Sequence, residues 1–132
     1  MRTIALPLAV ILVNLMIAVS SANAGQFSFF CSVDNAYSLD DQAAIKSDPA
    51  NRFRGERFSL DRRTGQITGE RIPAFRADKF VVLFPGNDGN SFKSYFQGQN
   101  FVSYVEVYEY REGKKKPFVL HDGIFILSGL CD

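Results

Sequence analysis

FSFFCSV, residues 27–33, alternates apolar and polar positions and carries the first of only two cysteines in the chain. Phe27, Phe29, Cys31 and Val33 fall on one side of an extended backbone, Ser28 and Ser32 on the other. A period of two marks a half-buried β-strand. Phe30 is the exception, a ring on the polar side. The second cysteine, Cys131, stands in the closing ILSGLCD stretch, residues 126–132. In an oxidising compartment such a pair forms a disulfide. Closing a loop of about 100 residues is worth roughly 4.7 kcal/mol in chain-entropy terms. The bridge also requires the first and last strands to lie within about 6 Å of one another, Cα to Cα. A sheet whose ends meet in this way is a barrel, or a sandwich with paired termini.

Upstream of this strand, residues 1–24 have the three parts of an export signal. Arg2 is the basic end. Ile4 to Val19 is an apolar run broken only by Pro7 and Asn14. Ala22-Asn23-Ala24 is a small-x-small cleavage site. A retained membrane span would need roughly 20 apolar residues and a basic flank. Here the run is shorter and ends in Ser20, Ser21, Asn23 and Gly25. Cleavage after Ala24 would leave residues 25–132 as one domain in a periplasmic or secreted setting, with no retained membrane span. The full chain holds 15 basic and 14 acidic residues. Losing Arg2 makes the mature domain neutral. That balance argues against a nucleic-acid binder, which needs a basic surplus to neutralise phosphates.

Downstream, strand patterns recur at short intervals. Asp34 to Gly55 is the least strand-like stretch. It is rich in turn formers, and Asp40 to Lys46 could make one helical turn with Asp40 or Asp41 as its cap. Phe58 and Leu60 alternate with Arg57, Ser59 and Asp61, and Arg62-Arg63-Thr64-Gly65 turns the chain into Gln66 to Glu70. KFVVLF, residues 79–84, is apolar on both faces and reads as a central strand. Residues 92–97 alternate again. Phe101 to Tyr110 reads as the longest strand. Phe118 to Leu120 and Ile124 to Leu130 form a last pair joined by His121-Asp122-Gly123. These eight short antiparallel strands, joined mostly by tight turns, predict an all-β fold. A meander barrel or curled sheet is the first expectation and a two-sheet β-sandwich the alternative.

No residue set in the chain points to catalysis or to a cofactor. His121 is the only histidine. Its neighbour Asp122 would point to the opposite face of a strand, and no nucleophile signature accompanies the two. A turn histidine is the plain reading. A zinc site needs three or four ligands, and one histidine with two bridged cysteines does not supply them. Asp34, Asp40, Asp41 and Asp48 lack the density of a calcium loop, as does Asn87-Asp88-Gly89-Asn90.

Two surfaces stand out instead. Arg52 to Lys79 carries eight basic residues against four acids, with Arg52, Arg54, Arg57, Arg62 and Arg63 in its first half. This is a candidate basic patch for an anionic glycan, a lipid head group or an acidic protein, or else an ordinary solvated face. On the 101–110 strand, Phe101, Ser103, Val105 and Val107 share one face. Val102, Tyr104, Glu106, Tyr108 and Tyr110 share the other. With the first face inward, the second displays three tyrosines around one carboxylate, to which Lys93 and Tyr95 can add. Tyrosine combines apolar area with hydrogen bonding and is enriched at interfaces. The alternative is a row of rings that merely supports the sheet.

FSLDRRTGQITG (residues 58–69), KPF (116–118) and the closing SGLC (128–131) resemble small exported bacterial proteins of unassigned function. That resemblance spans most of the mature chain and implies export and the disulfide rather than an activity. FFC at residues 29–31 and the terminal Cys131 also resemble, more weakly, the periplasmic inhibitors of C-type lysozyme, which are small β-barrels. Their inhibitory S-G-x-x-Y loop has no counterpart here. The nearest stretch, SFKSY at residues 91–95, lacks the glycine, so no inhibitory residue carries over.

The combined expectation is an exported binding module for a protein or glycan partner, an inhibitor among the forms it could take, with enzymatic activity less expected. A small-ligand carrier or barrel enzyme is a second reading. A self-associating envelope protein is a third, because Ile124, Ile126 and Leu130 lie opposite Phe125, Leu127 and Cys131 and leave the last strand apolar on both faces.

Overall fold

The computed structural model describes residues 27–48, 52–72, 76–87 and 89–132. The predicted export signal at residues 1–24 lies outside them, as do Pro49 and Asp88 of two predicted turns. No helix among the described residues is long and apolar enough to cross a membrane.

The chain folds into antiparallel strands: β1 (Ser28–Leu39), β2 (Ile45–Ser47), β3 (Arg57–Asp61), β4 (Ile67–Gly69), β5 (Lys79–Asn87), β6 (Asn90–Gln97), β7 (Val102–Val107), β8 (Lys116–Asp122) and β9 (Phe125–Cys131). Eight of them form one path, β4-β3-β1-β9-β8-β7-β6-β5, and β2 adds to the far half of β1. The sheet is strongly curled into a half-barrel. Its two ends, β4 and β5, do not pair with each other. One continuous sheet forms rather than the two of a sandwich.

Cys31 and Cys131 are bonded, and they face each other across β1 and β9. Phe30 and Asp132 exchange both backbone hydrogen bonds, at 3.2 and 2.9 Å. The cysteines therefore occupy the adjacent pair that has no such bonds, where strands come closest. Their Cα separation is 3.9 Å, well inside the expected 6 Å.

The alternation of the sequence becomes the inside and outside of the curl. Phe29, Cys31 and Val33 of β1, Phe58 and Leu60 of β3, Phe92 and Phe96 of β6, Val105 and Val107 of β7, Phe118 and Leu120 of β8, and Leu127 of β9 are buried. Their rings interlock, Phe29 with Phe92 at 5.3 Å and Phe58 edge-on to Phe118 at 5.1 Å between centroids. Such tilted and edge contacts add to the burial of apolar area.

Five expectations are corrected. First, β1 does not stop at Val33. The register slips between Val33 and Asn35, so Val33 pairs with Gly129 and Asn35 with Ser128. This bulge carries the inward phase from Val33 to Ala36, an odd step that simple alternation forbids. Gly129 is required opposite it. A Cβ there would strike the Ser32 carbonyl oxygen and crowd the Asp34 amide.

Second, Asp40 to Lys46 is not a helical turn. Asp40 accepts hydrogen bonds from the Gln42 and Ala44 backbone amides, at 3.0 and 2.8 Å, and the turn returns the chain as β2. Lys46 and the Ala44 amide hold the Asp40 carboxyl below its ordinary range.

Third, β5 is an edge strand, not a central one. A residue pattern apolar on both faces is common to both positions, but Pro85 marks the edge because it lacks the amide that a central strand must donate.

Fourth, β7 ends at Val107, and β1 is the longest strand. Fifth, His121 is not in a turn. It lies on β8, opposite Tyr104 and Ile126.

Candidate functional site

The tyrosine face is built by the register of three strands. Lys93 on β6 stands opposite Glu106 on β7, and Tyr95 stands opposite Tyr104. All four point out of the curl, because Phe92, Ser94 and Phe96, and Ser103, Val105 and Val107, point in. Tyr104 donates its hydroxyl proton to Glu106 Oε2 at 2.9 Å, and Lys93 Nζ lies 3.5 Å from Glu106 Oε1. Burial and then the bonded Glu106 carboxylate push the Tyr104 phenol well above the ordinary tyrosine value. Tyr108 is raised by burial first and by Glu106 second. One carboxylate thus organises an ammonium and two phenols.

The register extends this face across the sheet. One outer row runs Val81, Tyr95, Tyr104, His121, Ile126 and Tyr37, each the direct cross-strand partner of the next. The row beside it runs Phe84, Lys93, Glu106, Val119 and Ser128. Phe84, His121 and Tyr37 were not predicted as part of the surface. Phe84 was hidden by reading β5 as central, although Pro85 beside it was the available signal.

Tyr108 and Tyr110 lie beyond β7 rather than on it. Tyr108 still donates its amide to the Pro117 carbonyl at 2.8 Å. Its ring meets that of Tyr110 edge-on at 6.0 Å. Glu109 between them turns inward and is buried. It is gripped by Arg62, which donates to both carboxylate oxygens at 2.8 and 2.7 Å and to the Pro85 carbonyl at 3.1 Å. The guanidinium also lies 4.4 Å from the centroid of the Phe29 ring. Nothing in the local sequence around Glu109 signals this partner.

Arg62 is consequently engaged with Glu109 rather than displayed with the other members of the predicted basic patch. Arg63 pairs with Asp61 and lies over Phe27. Arg52 pairs with Asp48 and lies over Phe125. Arg57 begins β3 and Arg62 follows its end, which separates them by roughly 17 Å of extended chain. Arg54 is exposed.

Two depressions mark the outer surface. One, of about 480 Å³, lies between the β5–β6 hairpin and Tyr110, and Lys93 and Phe84 line it. The other, of about 650 Å³, lies over β3, β1 and β9, with Phe30, Leu130, Arg57 and Lys115 in its wall. Phe30 thus faces outward, which explains its break in the alternation of β1. Asp122 accepts a hydrogen bond from the inward Ser103 hydroxyl and has no bond to His121 among those described. No group of three or more His, Cys, Asp or Glu side chains that could hold a metal ion occurs among the described residues. No family model, curated protein or solved structure matches the chain.

Proposed function

We propose that the protein is an exported binding module that engages a protein or glycan partner through the outer face of β6 and β7. The observation that carries this reading is the Lys93, Tyr95, Tyr104 and Glu106 quartet. The polar ends of Lys93, Tyr104 and Glu106 are tied to one another, with Tyr95 beside them as the register partner of Tyr104, so three of the four side chains are held in place before a partner arrives, which lowers the ordering cost of binding. The disulfide agrees with an oxidising compartment outside the cytoplasm. The ring-filled interior favours a surface role over carriage of a ligand inside the curl. Inhibition of an enzyme is one form of this role, and the neutral mature domain makes nucleic acid an unfavoured partner.

The test is capture from envelope and host extracts with the oxidised protein, compared with Tyr104→Ala and Tyr108→Ala. Both variants should keep the fold and lose the partner. Unchanged capture by both variants rules the face out.

Self-association is the second reading. Leu130 on β9 and Ile124 in the turn before it are exposed, while Leu127 and Cys131 of β9 point inward, so this end of the chain presents aliphatic side chains to solvent. Sedimentation as a strict monomer at high concentration excludes this reading.

A further inference from the structure

The groove between the β5–β6 hairpin and Tyr110 has a lining of a particular chemical kind. Its two rings, Phe84 and Tyr110, are 60% and 51% exposed, among the most solvent-open aromatics described. Around them stand Asn87, Asn90, Ser91 and Lys93. Asn87 and Asn90 are register partners at the hairpin end. The Asn87 side-chain oxygen accepts the Gly89 amide at 2.8 Å, which leaves its NH₂ group available to donate. Lys93 Nζ lies 5.7 Å from the Phe84 ring centroid, and its charge is offset by Glu106.

The groove is also held in shape. Gly86 lines it with a φ of 72°, and a Cβ there would collide with the Glu109 carboxylate and the Phe92 backbone. Glu109, next to Tyr110 in the chain, is clamped by Arg62. The buried ion pair therefore anchors the segment that carries Tyr110 against the hairpin that carries Phe84.

Exposed rings flanked by amides and a hydroxyl suit a ligand with apolar C–H faces and a dense set of hydroxyl groups. A sugar ring has both. Aromatic faces cover the C–H surface while amide and hydroxyl groups make paired hydrogen bonds. Among the described lining residues Lys93 is the only charged one, and its offset by Glu106 favours a neutral sugar over an anionic one. We infer that this groove is a binding site for a neutral oligosaccharide stretch of a glycan, seated on Phe84 and Tyr110. The inference rests on the proposed binding role and adds to the β6–β7 face a neighbouring site with its own ligand class.

The experiment is a ¹H–¹⁵N NMR titration of the oxidised protein with two neutral probes, the β-1,4-linked tetramers of N-acetylglucosamine and of glucose, at millimolar concentrations. At least one should shift the amides of Gly86, Gly89, Lys93 and Tyr110. Phe84→Ala and Tyr110→Ala should each weaken binding about tenfold, and Tyr104→Ala should change it less than either. The spectra report folding directly. If Phe84→Ala misfolds, Phe84→Leu keeps the bulk while removing the flat ring, and it should still lose binding. No shift with either probe, shifts centred on the Phe30 and Leu130 depression, or shifts indifferent to Phe84 and Tyr110 would each overturn the inference. Absence of shifts together with Tyr104-dependent capture of a protein would remove the glycan and leave the binding face standing.

Discussion

Arg62 and Glu109 join the turn after β3 to the segment after β7 through a two-pronged ion pair, at 2.7 and 2.8 Å, buried against the Phe29 ring. A pair of this kind is weak evidence of net stability, but removing one member strands a buried charge. Glu109→Ala and Arg62→Ala should each cost about 3–5 kcal/mol. Arg62→Met with Glu109→Leu should recover most of that loss. Urea denaturation of the two single variants and the double variant measures the coupling. A double variant no better than the singles would show that the charges themselves are needed.

Reduction of Cys31–Cys131, or its replacement by serines, should lower stability by about 2–5 kcal/mol. Thermal melts with and without reductant should show the shift in the natural sequence and none in the serine variant.

Gly129→Ala should cost about 3 kcal/mol through overpacking. Its new methyl group meets backbone atoms of Ser32 and Asp34, which cannot swing aside as a flexible side chain would. A melt unchanged by this substitution would mean that the β1 bulge can relax.

Ser94 is fully buried and its hydroxyl has no hydrogen-bond partner among the described residues. Ser94→Ala should therefore stabilise the protein, by up to about 1 kcal/mol. Equilibrium unfolding should move to higher denaturant, and a move to lower denaturant refutes this account.

Tyr104 and Tyr108 both ionise later than a free tyrosine. Because their folded values lie above the unfolded one, the stability they add is fully present below about pH 10 and is lost as pH rises beyond it. Absorbance at the phenolate band should show Tyr104 and Tyr108 titrating late. Glu106→Gln should bring both of them earlier, since it removes the carboxylate that acts on each.

The strands were legible because burial on one side of a sheet writes itself as alternation. Phe29, Cys31 and Val33, and Ser103, Val105 and Val107, are examples. The failures share a cause. Each depends on something that a short window of sequence does not contain. The bulge at Asp34 shifts the phase of β1, and Asp34-Asn35 imitates a turn. β5 is apolar on both faces whether or not a strand covers its second edge. Continued alternation past Val107 puts Glu109 on the inward face, where a carboxylate is out of place, and the partner that accounts for it is 47 residues away. For the candidate site, Lys93, Tyr95, Tyr104 and Glu106 could be named from pattern alone. Phe84 could not be placed beside them without the register.

The disulfide lies near the middle of the sheet, since β1 and β9 are neighbours inside the path and the path ends at β4 and β5. The strands therefore fall into two up-and-down modules, β1 to β4 and β5 to β9, sewn side by side along the β1–β9 seam. The modules have two covalent ties, the polypeptide between β4 and β5 and the bridge across the seam. Cutting either one alone leaves the other to hold the halves in register. A chain nicked between β4 and β5 should stay one particle until it is reduced, and a permuted chain opened there, with the old ends joined, should fold to the same sheet.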